Sequence, residues 1–152
     1  MKTDPSRFTV RLTKTVLDIL FALGIAAELS LPWSFRALGR FYPNLQEYFV
    51  PQLILFMLSG LGAIGILFEL RRMFKTVLAN NCFVRANVLS LRRMGVMSFS
   101  ITLVTAARML MLFTPATLLI VGVFSIAGLF SFVLAGVFDR AVSYKEENDL
   151  TI

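Results

Sequence analysis

The sequence predicts an all-α integral membrane protein with four transmembrane helices and both termini on the cytoplasmic side. Three observations support this. The chain of 152 residues is 57% hydrophobic and only 16% charged, with mean hydropathy +0.78, well outside the range of an ordinary soluble domain. No Lys, Arg, Asp or Glu occurs from Met109 to Phe138, a run long enough to cross a bilayer. Finally, the basic residues are segregated. Arg71, Arg72, Lys75, Arg85, Arg92 and Arg93 crowd the connector 70–93, with long apolar runs on either side.

The first span, 12–31, follows a basic start carrying Lys2, Arg7, Arg11 and Lys14. It resembles a secretory signal, but three more apolar spans follow, so an uncleaved membrane helix is expected, closed by Pro32. Pro32 to Pro51 then reads as an irregular link whose Trp33, Phe35, Phe41, Tyr42, Tyr48 and Phe49 would form an interfacial aromatic collar. The second span is 49–69. A helix is expected to continue over Arg71 to Leu78 and to break at Asn80-Asn81, where both residues tolerate left-handed geometry. The third span, 94–113, leads into a tight hairpin. Thr114 caps the fourth span, 115–138, and Pro115 occupies its first helical position. The acidic tail 139–152 can fold back on the basic connector. Of the Lys and Arg residues, four lie at the N-terminus, six in the connector and two in the tail, against Arg36 and Arg40 in the first link, so N-terminus, connector and tail are all expected in the cytoplasm.

A net charge of +6 does not point to direct nucleic-acid binding, because the basic residues flank apolar spans instead of covering a polar face. One cysteine and no histidine remove an internal disulfide, multi-cysteine metal centres and the commonest general base. No catalytic constellation is visible, so neither an enzyme nor a cofactor is expected.

Asp18, Glu28 and Arg108 are ionisable groups in or beside spans and are candidate functional residues. At ~1.5 Å per residue Glu28 lies roughly 25 Å above Arg11, and Arg108 about 21 Å above Met94. The two share the outer half of the bilayer and are expected to pair. Asp18 lies lower and is expected to meet Lys14, or Arg92 and Arg93. Small residues recur every four positions, at Ser59 and Ala63, at Ser98, Thr102 and Ala106, and at Ala127, Ser131 and Ala135, as seams for close helix packing or a homo-oligomer.

Two segments carry a family resemblance. One is Asn81-Cys82-Phe83-Val84 with Asn87 and Leu91-Arg92-Arg93-Met94-Gly95. The other is the end of the chain, Lys145-Glu146-Glu147-Asn148-Asp149-Leu150-Thr151-Ile152. Together with the four-span layout they resemble an uncharacterised bacterial family of four-helix membrane proteins, domain of unknown function 2975. That family usually has proline where Cys82 stands. The resemblance implies an inner- or plasma-membrane location, no established activity, and genes beside a small helix-turn-helix regulator. A membrane-embedded regulatory or interaction protein is therefore expected. Its candidate partner-binding residues are Asn81, Phe83, Asn87, Arg92, Arg93, Glu146, Glu147, Asp149 and Leu150, facing a soluble cytoplasmic DNA-binding regulator. The alternative is a small transporter, channel or peptide-immunity protein in which Asp18, Glu28 and Arg108 line a cavity.

Overall fold

The computed structural model describes residues 5–39, 49–111 and 113–149. Its four described helices are α1 (Pro5–Gly39), α2 (Phe49–Leu78), α3 (Arg85–Met109) and α4 (Pro115–Asp149). Each is long and apolar enough to cross a membrane, as expected of a multi-pass membrane protein. Leu23, Leu29, Leu61, Leu103, Leu119, Val123 and Phe130 are all exposed. Such a surface would associate in water and suits a hydrocarbon solvent.

The helices form an open antiparallel row. α1 packs on α2, α2 on α3 and α3 on α4, and the described residues show no other helix pairing. α3 is the most enclosed. Its buried Asn87, Leu91, Met94, Ser98, Ile101 and Thr105 alternate steps of four and three, the spacing that keeps one helix face on its neighbours. Arg108 is the next position in that series, so its side chain starts from the packed face.

Glycines set the close approaches. A Cβ on Gly128 would come within 2.9 Å of the Phe99 ring, and one on Gly95 equally close to Phe132. The two rings lie over opposite helices and stack with centroids 6.0 Å apart. Gly136, by contrast, faces open space. Gly128→Ala is therefore expected to be less stable than Gly136→Ala by about 1–2 kcal/mol, because only the first methyl must displace a packed ring. Unfolding in mixed detergent micelles measures the difference.

Several boundaries differ from the sequence expectation. Pro32 does not close α1, which continues to Gly39. Phe35 is buried against the Phe49 and Phe56 rings, with centroids at 6.2 and 5.0 Å, and this packing outweighs the one backbone bond that proline removes. Phe35 is thus core and not collar, whereas Trp33 stays exposed. Phe41, Tyr42 and Tyr48 lie outside the described residues. The connector is mostly helical, since α2 runs to Leu78 and α3 already starts at Arg85. α2 stops where expected, with Asn80 in left-handed geometry at φ 55° and the Asn81 N–H returning to the Thr76 carbonyl at 3.0 Å. The tail is also helical, with α4 continuing to Asp149. At the other hairpin Pro115 opens α4 as expected, with the Thr117 N–H on the Thr114 carbonyl at 3.0 Å. Of the small-residue seams, Ser98, Ser131 and Ala135 are buried, whereas Thr102 and Ala106 sit beside the packed face.

Candidate functional site

Two places hold the candidate residues. The first is the connector end, where the start of α3 meets the end of α4. Arg85 is the hub. Its guanidinium donates to Asp139 at 2.5 Å, to Glu146 at 2.8 Å and to Ser143 at 3.3 Å. The three acceptors are one helical turn apart, so α4 presents them along one edge. Arg92 reaches the other Asp139 oxygen at 3.2 Å, and Lys145 donates to the Asn81 side chain at 3.0 Å. The Phe83 ring packs on Phe138 with centroids at 5.5 Å. The described part of the tail folds back on the connector, where Lys145 and Glu146 meet Asn81 and Arg85.

Not every candidate residue belongs to that surface. Asn87 is only 1% exposed. Its amide donates to Thr76 Oγ1 and to the Cys82 carbonyl, both at 2.7 Å, and so ties α2, the turn and α3 together. Its side chain is buried in this tie and does not lie on the exposed face. Arg93 turns toward Glu69, 3.2 Å away, and not toward the tail. Glu147 is exposed at the end of α4. The Asp149 side chain and all of Leu150 lie outside the described residues.

Asp18 is held by Arg71 at 2.5 Å and by Lys14 at 3.5 Å, one turn below it. The Lys14 contact is the expected one. Arg92 and Arg93 are not its partners, because both are engaged on the α3–α4 and α2–α3 sides. Arg71 also covers the Phe21 ring, 4.4 Å from its centroid.

The second place is a cavity of about 250 Å³ among the helices toward the opposite end, lined by Glu28, Phe56, Gly60, Thr105, Arg108 and Phe124, among others. Glu28 and Arg108 share this cavity, but they do not form the expected ion pair. Arg108 donates instead to Thr117 Oγ1 at 2.9 Å and lies over the Phe56 ring, 4.1 Å from its centroid. Thr117, fully buried, is also 2.6 Å from Thr114 Oγ1, so the hairpin cap fixes the arginine. Glu28 is 9% exposed and presses against Gly60, and its Oε1 has no hydrogen-bond partner.

Sequence reasoning missed the weight of Glu69. It is 3% exposed, accepts from Ser90 at 2.7 Å and faces Arg93. Its signal was available, as the one acid at the head of a basic connector. Among the described residues no group of His, Cys, Asp and Glu is arranged to hold a metal.

No curated protein and no solved structure matches the chain. Residues 33–152 match the family model described as "Protein of unknown function (DUF2975)". That match includes the connector, the tail and every helix from α2 onward, together with the last turns of α1. The chain is a member of the DUF2975 family.

Proposed function

We propose that this is a cell-membrane protein with both termini and the connector in the cytoplasm, and that it is a regulatory protein presenting its connector–tail face to a soluble partner. The observation that carries this reading is the contact of Lys145 and Glu146, in one family-like segment, with Asn81 and Arg85 in the connector that holds the other. The cluster is exposed and built from ion pairs. Such pairs contribute little net stability, roughly 0–1 kcal/mol each, so a competing charged surface can displace them at small cost. A helix-turn-helix regulator, the kind of partner the family resemblance implies, would meet this face as a soluble cytoplasmic protein.

The orientation is tested at Cys82, half-buried in the turn between α2 and α3. A membrane-impermeant maleimide is expected to label it in inside-out vesicles and to leave it unlabelled in intact cells. The partner reading is tested by crosslinking in native membranes, followed by purification. Wild-type protein is expected to retain a soluble partner, and Arg85→Glu to lose at least tenfold of it, as does deletion of Tyr144 to Ile152. A deletion that leaves every soluble partner bound defeats the reading.

The transporter, channel or peptide-immunity alternative predicts that Asp18, Glu28 and Arg108 line one cavity. Glu28 and Arg108 do, but Asp18 is engaged by Arg71 and Lys14 away from it. The geometry therefore favours the interaction reading.

A further inference from the structure

The open row leaves α1 and α4 without contact, and the cavity occupies the space between them. Two opposite charges border it without meeting. Glu28 brings a buried carboxylate oxygen with no partner. Pro32, four residues on, has no N–H to return to the Glu28 carbonyl, so the same residue carries a second acceptor without its helical bond. Arg108 spends one N–H on Thr117 and one face on Phe56, and a guanidinium has five donors. Between them the walls are apolar, with Leu55, Ile101, Ile120 and Phe124. A second pocket of about 430 Å³ shares Leu31, Phe56 and Arg108 and extends past Gln52 to Thr114, at the end where α3 turns into α4. It borders the first along those three side chains.

We propose that this cavity binds a small zwitterion with an apolar body, its ammonium group at Glu28 and its anionic group at Arg108. Other ligand classes fit less well. A simple cation would satisfy Glu28 but be repelled by Arg108, and a simple anion would meet the reverse problem. A neutral apolar molecule would leave both charges without a counter-charge, which is costly in a medium of low dielectric. A zwitterion supplies N–H donors where an acceptor is orphaned and an acceptor where donors remain, while its body covers the apolar walls. The second pocket has the volume of a small-molecule site, and the first, slightly smaller, suits a ligand of amino-acid size. Two sources offer this chemistry, a free apolar amino acid from the aqueous side or an aminophospholipid headgroup from the bilayer. The inference is independent of the connector–tail face, since none of its residues belongs to the Arg85 cluster.

The test uses the full chain purified in detergent, with binding read by calorimetry and by the shift in melting temperature. One arm compares L-phenylalanine with N-acetyl-phenylalanine, which lacks the ammonium, and with phenylalaninamide, which lacks the carboxylate. The other compares dihexanoyl phosphatidylethanolamine with dihexanoyl phosphatidylglycerol, which lacks the ammonium. One of the two zwitterions is expected to bind, and its capped or ammonium-free counterparts at least tenfold more weakly. Glu28→Gln and Arg108→Gln are each expected to weaken it at least tenfold. If either variant does not fold, the comparison of ligands on the wild-type protein decides alone. Absence of binding by both zwitterions, or equal binding of the capped forms, overturns the proposal and leaves the cavity to water.

Discussion

Glu69→Ala is expected to destabilise the protein by about 2–3 kcal/mol, the upper part of the range for losing a hydrogen bond to a charged group. Glu69 sits at the connector end of α2 with its side chain turned into α3. Two groups depend on it. The Ser90 hydroxyl, itself 1% exposed, donates to it at 2.7 Å and would keep no acceptor there. Arg93 would lose its carboxylate at 3.2 Å, although its guanidinium is half exposed and can turn toward water. The larger share of the loss therefore falls on Ser90 and on the emptied volume. Glu69→Gln separates the two contributions, because a glutamine carbonyl can still accept from Ser90. It is expected to cost less than half as much as alanine. Denaturant titration of helix content in mixed micelles measures both. If both variants unfold with the wild type, the α2–α3 contact does not depend on this network.

How far the sequence foretells such features depends on the length scale of the physics. Four long apolar helices, the break at Asn80 and the start at Pro115 follow from hydropathy and from backbone chemistry within a few residues, and all three are present. Pro32 shows the limit. Locally it reads as a stop, yet the Phe35 contact with a helix distant in sequence keeps α1 going. The tail was legible as acidic and as complementary to the connector. Its helical form aligns positions 139, 143 and 146 on one edge, and only the pairing of the helices brings Arg85 to that edge. Depth along the helices placed Glu28 and Arg108 at the same level. Depth does not give azimuth, and the open row leaves α1 without contact to α3, so the two line one cavity without touching. Asn87 read as a recognition residue and is a buried tie, because its partners Thr76 and the Cys82 carbonyl become neighbours only after the connector turns.

Gly60→Ala is expected to cost about 1–3 kcal/mol, the range of an overpacking change, and the cost should depend on Glu28. The Glu28 carboxylate lies directly on the bare face of α2 at Gly60, and a Cβ there would occupy the carboxylate's own position. A neighbouring ring can slide aside by a few tenths of an ångström, but this carboxylate must leave its seat. Its routes away are the cavity toward Arg108 or the apolar space beside it, and the second buries a charge without a partner. A double-mutant cycle isolates the contact. In a Glu28→Ala background the same Gly60→Ala change should be nearly neutral, because the new methyl then fills space the carboxylate has vacated, and the coupling should approach the upper part of the 0.5–3 kcal/mol range for residues in contact. Unfolding of all four proteins in the same micelles provides the numbers. Additive costs would mean that Glu28 does not rest on Gly60, and that the carboxylate faces the cavity for some other reason.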